Sequence, residues 1–295
     1  MVFLGELSAL LAAAVWSVSS LLTEKASLRT KSNDLNLVVK ALGLFFVSVI
    51  AWAVRGTMFP TQGTLASFSW LALSGAVGFA LGDSFLFRSF QLLGAKVTLL
   101  IFSLAPVLTA LFGILFLGEH LTWANVAGMS LVLFGVIFVI LEGGPGRRIK
   151  LRFPLKGVVM ALLASLGQAL GVVLSKQGMT GYDAFSATQI RLLGGVALMI
   201  VIALARPTEH DFRAFANRHV QALSAGSAVM GTVIGVTLSM VAIANTKAAI
   251  AATLMGVTPI MVIPLAVVFH KQRAEAKEIL GALITVAGIA VLFIP

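Results

Sequence analysis

The chain has no cysteine among its 295 residues. That excludes a disulfide framework, thiol catalysis and a cysteine-ligated metal, and says little about compartment. Charge is scarce as well. Asp, Glu, Lys and Arg make up 11% of the residues, against roughly 25% in a soluble domain, too few to cover a water-facing surface. Soluble-enzyme fingerprints are missing: there is no phosphate loop, no dinucleotide fingerprint, no HExxH and no GxSxG. His120, His210, His219 and His270 lie in or beside loops without ligand spacing, so neither a metal site nor a cofactor is expected. A cleavable leader is not expected either. Residues 1–22 lack a basic n-region, carry Glu6 and read as a first helix.

Apolar residues are what the chain has instead. It is 59% hydrophobic, with a mean hydropathy of +1.04. They come in blocks of about 20, the length a helix needs to cross roughly 30 Å of hydrocarbon. The short alternating segments of a membrane barrel are absent. The pattern predicts helices near 3–23, 36–54, 69–90, 96–117, 122–141, 156–176, 185–205, 220–244, 248–269 and 277–294. The net charge of +10 sits mostly in short loops. It therefore reads as a topology signal and as contacts to anionic headgroups, not as a nucleic-acid surface.

The two halves resemble each other. At a shift of 151, Lys25, Gly43 and Lys40 fall on Lys176, Gly194 and Arg191. At a shift of 153, Gly78, Gly82, Pro106, Gly128 and Gly135 fall on Gly231, Gly235, Pro259, Gly281 and Gly288. The sequence thus divides into a first five-helix repeat over 1–141, a basic Gly/Pro linker over 142–155 and a second repeat over 156–295. Five is odd, so the second copy is expected to insert upside down. The charges agree. The loop after helix 1 holds Lys25, Arg29 and Lys31, and its counterpart only Lys176. The loop after helix 2 holds Arg55, and its counterpart Arg206, Arg213 and Arg218. The five loops 1–2, 3–4, 5–6, 7–8 and 9–10 carry 16 of the 21 Lys and Arg residues. The positive-inside rule puts those loops in the cytoplasm and both termini outside.

Four motifs carry a family resemblance: AVWS at 14–17, GDSFLFRSFQLLGA at 82–95, LAPVL at 104–108 and LGE at 117–119. In this order and spacing, with two five-helix copies, the chain resembles the ten-helix EamA-type branch of the drug/metabolite transporter superfamily. The second copy departs from the pattern, with His270-Lys-Gln-Arg273 where the first has Leu117-Gly-Glu-His120, so the role of Glu119 is not duplicated. The resemblance implies export of amino acids, metabolites or drug-like solutes by alternating access through a central cavity. It also implies cytoplasmic termini, opposite to the charge count.

Ionisable groups at membrane depth are costly and are candidates for function. Asp83, just after Gly82, could bind a proton or a substrate amine, or form a structural pair with Arg88 or Lys40. Lys40 and Arg191 are repeat partners, expected near opposite faces as gates or as snorkelling side chains. Trp16, Ser17, Ser20 and Gln168 on helices 1 and 6, and Thr232 and Thr237 on helix 8, could line a site for an amphipathic solute or serve as packing glue. Pro106 and Pro259, placed mid-helix, could hinge or simply curve their helices. The fold expected is an all-α integral membrane protein of ten transmembrane helices in two inverted five-helix repeats. The function expected is secondary transport of a small molecule across the inner membrane, with H+ as a possible partner, no enzymatic activity, and a monomeric or homodimeric state. An integral membrane enzyme acting on lipid-linked substrates and a non-transporting scaffold are the alternatives.

Overall fold

The computed structural model describes residues 3–60, 63–117, 122–142, 150–179, 181–207, 210–245, 254–270 and 275–292. Glu119, His120, Arg147, Arg148, Lys247, Thr253, Lys271 and Arg273 lie outside the described residues, as does the linker over 143–149.

The elements run α1 Leu4–Ser27, α2 Ser32–Arg55, α3 Leu65–Gly75, a π-helical segment Ala76–Gly82, α4 Asp83–Phe102, α5 Ala105–Leu117 and α6 Trp123–Ile140. Two-residue strands, β1 Leu141–Glu142 and β2 Lys150–Leu151, pair antiparallel. Then follow α7 Leu155–Gly178, α8 Ala184–Ala205, a 3-10 turn Phe212–Ala216 and α9 Arg218–Ser227. A second π segment Ala228–Gly235, α10 Val236–Asn245, α11 Thr258–His270 and α12 Ala276–Leu292 complete the order. Helical elements from α7 onward, the 3-10 turn apart, begin 151 to 153 residues after a counterpart, as Leu4 and Leu155, Ala76 and Ala228, or Trp123 and Ala276 show.

Backbone groups in hydrocarbon must find partners inside their own segment, and helices do this. Among the described residues, seven helical runs are long and apolar enough to cross a membrane, and Thr258–Phe269 is a shorter apolar helix. The run Leu65–Gly113 has 49 residues. Straight, it would reach about 74 Å at 1.5 Å per residue, more than twice the hydrocarbon thickness. It turns instead at Gly94, whose φ of 76° suits a residue without a Cβ. The outer surface carries Phe45, Leu65, Leu115, Val201, Leu204 and Val268 exposed, as lipid-facing side chains are. Trp52, Trp70 and Trp123 are exposed near helix ends, where indole rings favour the headgroup level.

Packing crosses between the halves. The first helix, α1, lies on α9, the second π segment and α10; α7 lies on α3, the first π segment and α4. Helices α6 and α12 pack antiparallel. A Cβ on Gly135 would sit 2.4 Å from Thr285 Oγ1 and 2.9 Å from Gly281 O, and one on Gly288 would sit 2.6 Å from Val132 N. Only residues without side chains allow such approach. Helices α2 and α8 also run antiparallel, with Ser48 opposite Gln189 and Arg55 opposite Asp183.

The prolines are not mid-helix as the sequence suggests. Turns at 103–104 and 256–257 interrupt the helices, and Pro106 and Pro259 are the second residues of α5 and α11. A first-turn proline lacks an N–H that would have no partner anyway, so it starts these helices and does not kink them. Both breaks are tied across the halves. Ser17 Oγ donates to Thr258 O at 3.3 Å, and Ser165 Oγ donates to Ile101 O at 3.3 Å.

Candidate functional site

A π turn carries an extra residue and disturbs the regular carbonyl partnering of the helix around it. In the first π segment Asn36 Nδ2 donates to Phe79 O at 2.8 Å and to Ser84 Oγ at 3.0 Å. In the second, Trp16 Nε1 donates to Gly231 O at 3.1 Å. The first segment lies close against the other half. A Cβ on Gly75 would stand 1.7 Å from Arg191 O, and one on Gly82 would stand 3.3 Å from Gly167 C. This contact places α8 and its Arg191 beside the π segment.

Asp83 follows the π segment directly and ion-pairs with Lys40 Nζ at 2.6 Å. Phe79, one turn earlier, has Lys40 Nζ 4.7 Å and Arg191 Cζ 4.7 Å from its ring centroid. Such positions let a ring quadrupole attract a cation. All four residues are buried: Lys40 is 6% exposed, Phe79 5%, Asp83 8% and Arg191 2%. Among the described residues, Arg191 Nε and Nη2 have no hydrogen-bond partner. Asp83 attracts Arg191 through space but takes its hydrogen-bonding contact from Lys40. Two cations and one carboxylate thus meet in a low-dielectric interior, and charges there act far more strongly than in water.

This corrects the expectation for Lys40 and Arg191, which are not at opposite faces and do not snorkel. Lys40 is the ninth residue of α2 and Arg191 the eighth of α8. Each stands about 11–12 Å along its helix at 1.5 Å per residue. The helices are antiparallel, so both long side chains reach one central ring. Arg88 is not the partner of Asp83; it donates to Gln91 Oε1 at 2.5 Å.

The other candidates lie elsewhere. Ser17 Oγ also donates to Ala13 O, and Ser20 Oγ donates to Trp16 O, both at 2.8 Å, so these hydroxyls serve backbone carbonyls. Trp16 packs on Gly235, where a Cβ would be 2.5 Å from its Nε1. Thr232 fills the space over Gly43. Thr237 Oγ1 is buried and has no hydrogen-bond partner among the described residues. Gln168 is half-buried, its backbone N beside Gly82. Sequence reasoning missed Phe79 and Asn36. The signal for Phe79 was its spacing of four before Asp83 beside Gly78 and Gly82. Asn36 has Ala187 at its shifted position, so the repeat gave no hint of it.

Contacts at the two ends frame the site. At the end with the basic loops, Lys96 pairs with Glu278 at 2.8 Å, Arg152 pairs with Glu275, and His210 Nδ1 meets the fully buried Asp34. At the other end Arg55 pairs with Asp183 at 2.7 Å and donates to Ser186 Oγ. Burial works to raise the Asp183 carboxyl. Hydrogen bonds from the Ser186 hydroxyl and N–H and from Arg55 outweigh it and hold the group below its ordinary 3.8.

Comparison with known proteins bears on this arrangement. The family model described as "EamA-like transporter family" matches residues 3–141 and again 155–294. The chain is 26% identical over 214 residues to the "Uncharacterized transporter YxxF" of Bacillus subtilis (strain 168), a match covering 71% of this chain and 65% of that protein. It is 32% identical over 77 residues to the "Probable terminal-alkyne amino-acid exporter" of Streptantibioticus cattleyicolor, covering 26% of each. The chain thus matches less than two thirds of the length of these curated relatives. A solved structure described only as "Crystal structure of protein" superposes with a TM-score of 0.69 at 18% identity, covering 97% of this chain and 95% of the other. At that identity the likeness is one of fold.

Proposed function

This chain belongs to the EamA-like transporter family, a multi-pass membrane protein, and from that premise we propose that it is a secondary transporter of small solutes. The observation that carries this reading is the buried Lys40–Asp83–Arg191 cluster around Phe79. Charged groups at membrane depth mark solute and ion pathways. This one lies where a helix of one half meets a helix of the other, the usual place for a transporter site. Neither the lipid-enzyme nor the scaffold reading accounts for it: the first needs acidic or His residues clustered at one interface, and the second needs no buried charge.

The architecture we propose is ten membrane passages in two inverted five-helix repeats, over 1–141 and 156–295. The 151–153-residue recurrence of elements and the antiparallel packing of α6 on α12 and α2 on α8 support it. Equivalent helices meeting antiparallel imply a two-fold axis in the membrane plane. Access alternates as the halves rock about the breaks at Pro106 and Pro259. The pairs at the basic end and the Arg55–Asp183 pair open in turn. The basic loops face the cytoplasm and the termini face outward. Asp83 is the one carboxylate among the described residues far from both ends of its helical run, so a coupled proton enters there.

The test is flux of a solute library into proteoliposomes holding wild type or Asp83→Asn, with and without an imposed pH gradient. Gradient-dependent flux that the variant loses supports a proton-coupled transporter. Flux indifferent to pH in both proteins removes the coupling and leaves a facilitator. Absence of flux for every solute refutes the reading.

A further inference from the structure

Resting on the transport reading, we infer that the solute is a monoanion whose single carboxylate seats on the unpaired side of Arg191. The halves are unequal at one decisive position. Lys40 and Arg191 correspond at the 151 shift, but Asp83 corresponds to Val236 at the 153 shift. The cation of the first half therefore has its counter-ion 2.6 Å away. In the second half the place of that counter-ion is taken by a valine, 6% exposed and packed in one apolar cluster with Phe79 and Leu192.

What Arg191 lacks has a definite shape. Its two unpartnered atoms are Nε and Nη2. Those N–H groups lie along one edge of the guanidinium and form the fork that takes a carboxylate with two parallel hydrogen bonds. Nη2 is 3.6 Å from where a Cβ on Gly78 would stand, and Gly171 Cα and Gly167 O border the same point. Glycine backbone thus borders the Nη2 end of that edge. A buried guanidinium without a partner is costly, and a solute carboxylate removes the deficit.

Charge also limits the rest of the solute. With Asp83 ionised and paired to Lys40, the three groups sum to +1, so a monoanion leaves the loaded site neutral before a coupled proton enters. A zwitterion brings an ammonium that needs its own carboxylate, and Asp83 is engaged by Lys40. A dianion leaves one negative charge buried. The solute class is therefore an organic monocarboxylate without a free amine.

The experiment measures ligand-induced shifts in Tm of the purified full-length protein at millimolar ligand. Two matched series serve as probes: butyrate, butyramide, 2-aminobutyrate and succinate; and 3-phenylpropanoate, its amide, phenylalanine and phenylsuccinate. Only the monocarboxylate of a series is expected to raise Tm, and Arg191→Gln is expected to abolish the rise. Val236→Asp supplies the missing counter-ion, so its unliganded Tm rises and its response disappears. Arg191→Lys keeps charge without the fork and weakens apparent affinity at least tenfold, which covers the case of Val236→Asp failing to fold. An equal response to the amide, a larger one to the amino acid or the dianion, no response in either series, or a response intact in Arg191→Gln overturns the inference. Library flux in proteoliposomes separates the two levels. Flux of neutral or zwitterionic solutes without a carboxylate response overturns the inference and leaves the transport reading. A carboxylate response with no flux of any solute overturns transport and upholds the binding site.

Discussion

Removing the Asp83 charge tests the central pair most directly. Lys40 Nζ and Asp83 Oδ2 are 2.6 Å apart, with side chains 8% and 12% exposed. Their charge centres are roughly 4 Å apart, which at an effective dielectric near 20 gives about 4 kcal/mol of attraction. Burying two ions costs several kcal/mol each, so the pair as a whole contributes little over an apolar pair. Breaking it is different. Asp83→Asn leaves Lys40 and Arg191 beside one ring with no carboxylate, and the ring attracts each by about 2 kcal/mol, less than the lost pair. Expected destabilisation is about 3–5 kcal/mol for Asp83→Asn and a similar amount for Lys40→Leu. The double variant should recover part of that loss, since Lys40 no longer leaves a buried charge unpaired, while Arg191 keeps its own and loses the attraction of Asp83. Unfolding in mixed detergent micelles, followed by circular dichroism, gives the four corners of the cycle. Single variants within about 1 kcal/mol of wild type, the scale of a surface pair, would refute the reasoning. Strict additivity would refute it too.

Three further outcomes follow from the packing and the caps. Gly75→Ala should cost about 3 kcal/mol or more, because its Cβ would meet Arg191 O at 1.7 Å and backbone cannot yield. Gly56→Ala, at φ +73 with nothing within 4 Å, should cost only about 1–2 kcal/mol of left-handed strain; equal losses in the two micelle unfolding curves would contradict the close contact. Trp16→Phe should lose about 1 kcal/mol by removing one of the two donors of Gly231 O, which also accepts from Val236 N–H, and an unchanged unfolding midpoint would show that the indole bond adds no stability. Asp183→Asn keeps the cap but removes the charge. The depressed carboxyl of Asp183 contributes stability above its ordinary 3.8, and that contribution disappears as pH falls through the lower folded value. The side chain is 57% exposed, so screening holds the effect to about 1 kcal/mol or less. The Tm difference between wild type and variant should be constant from pH 5 to 7 and narrow as pH falls below 3.8; a gap that does not narrow with acid would assign it to shape, not charge.

The membrane class was legible in the sequence because lipid allows few solutions. Apolar blocks of about 20 residues must be helices when no water is present to satisfy their backbones. The spacing of Gly78, Gly82 and Pro106 from Gly231, Gly235 and Pro259 was legible for a similar reason. Close helix contacts tolerate only small residues, and a helix start tolerates proline, so these positions keep their register. Asp83, Lys40 and Arg191 stood out because charge is rare in such segments. Tertiary structure alone decided what they do to one another. A one-dimensional reading measures distance from the nearest helix end, and by that measure Lys40 and Arg191 belonged near opposite faces. Antiparallel packing of α2 on α8 brings both to Phe79, which the sequence marks only by its spacing of four before Asp83. The unmet half of Arg191 was likewise invisible, since a missing partner is a property of three-dimensional surroundings. Sequence set which charges are buried, through hydrophobicity and length. Helix packing set which charges meet, because that depends on the crossing of segments 150 residues apart.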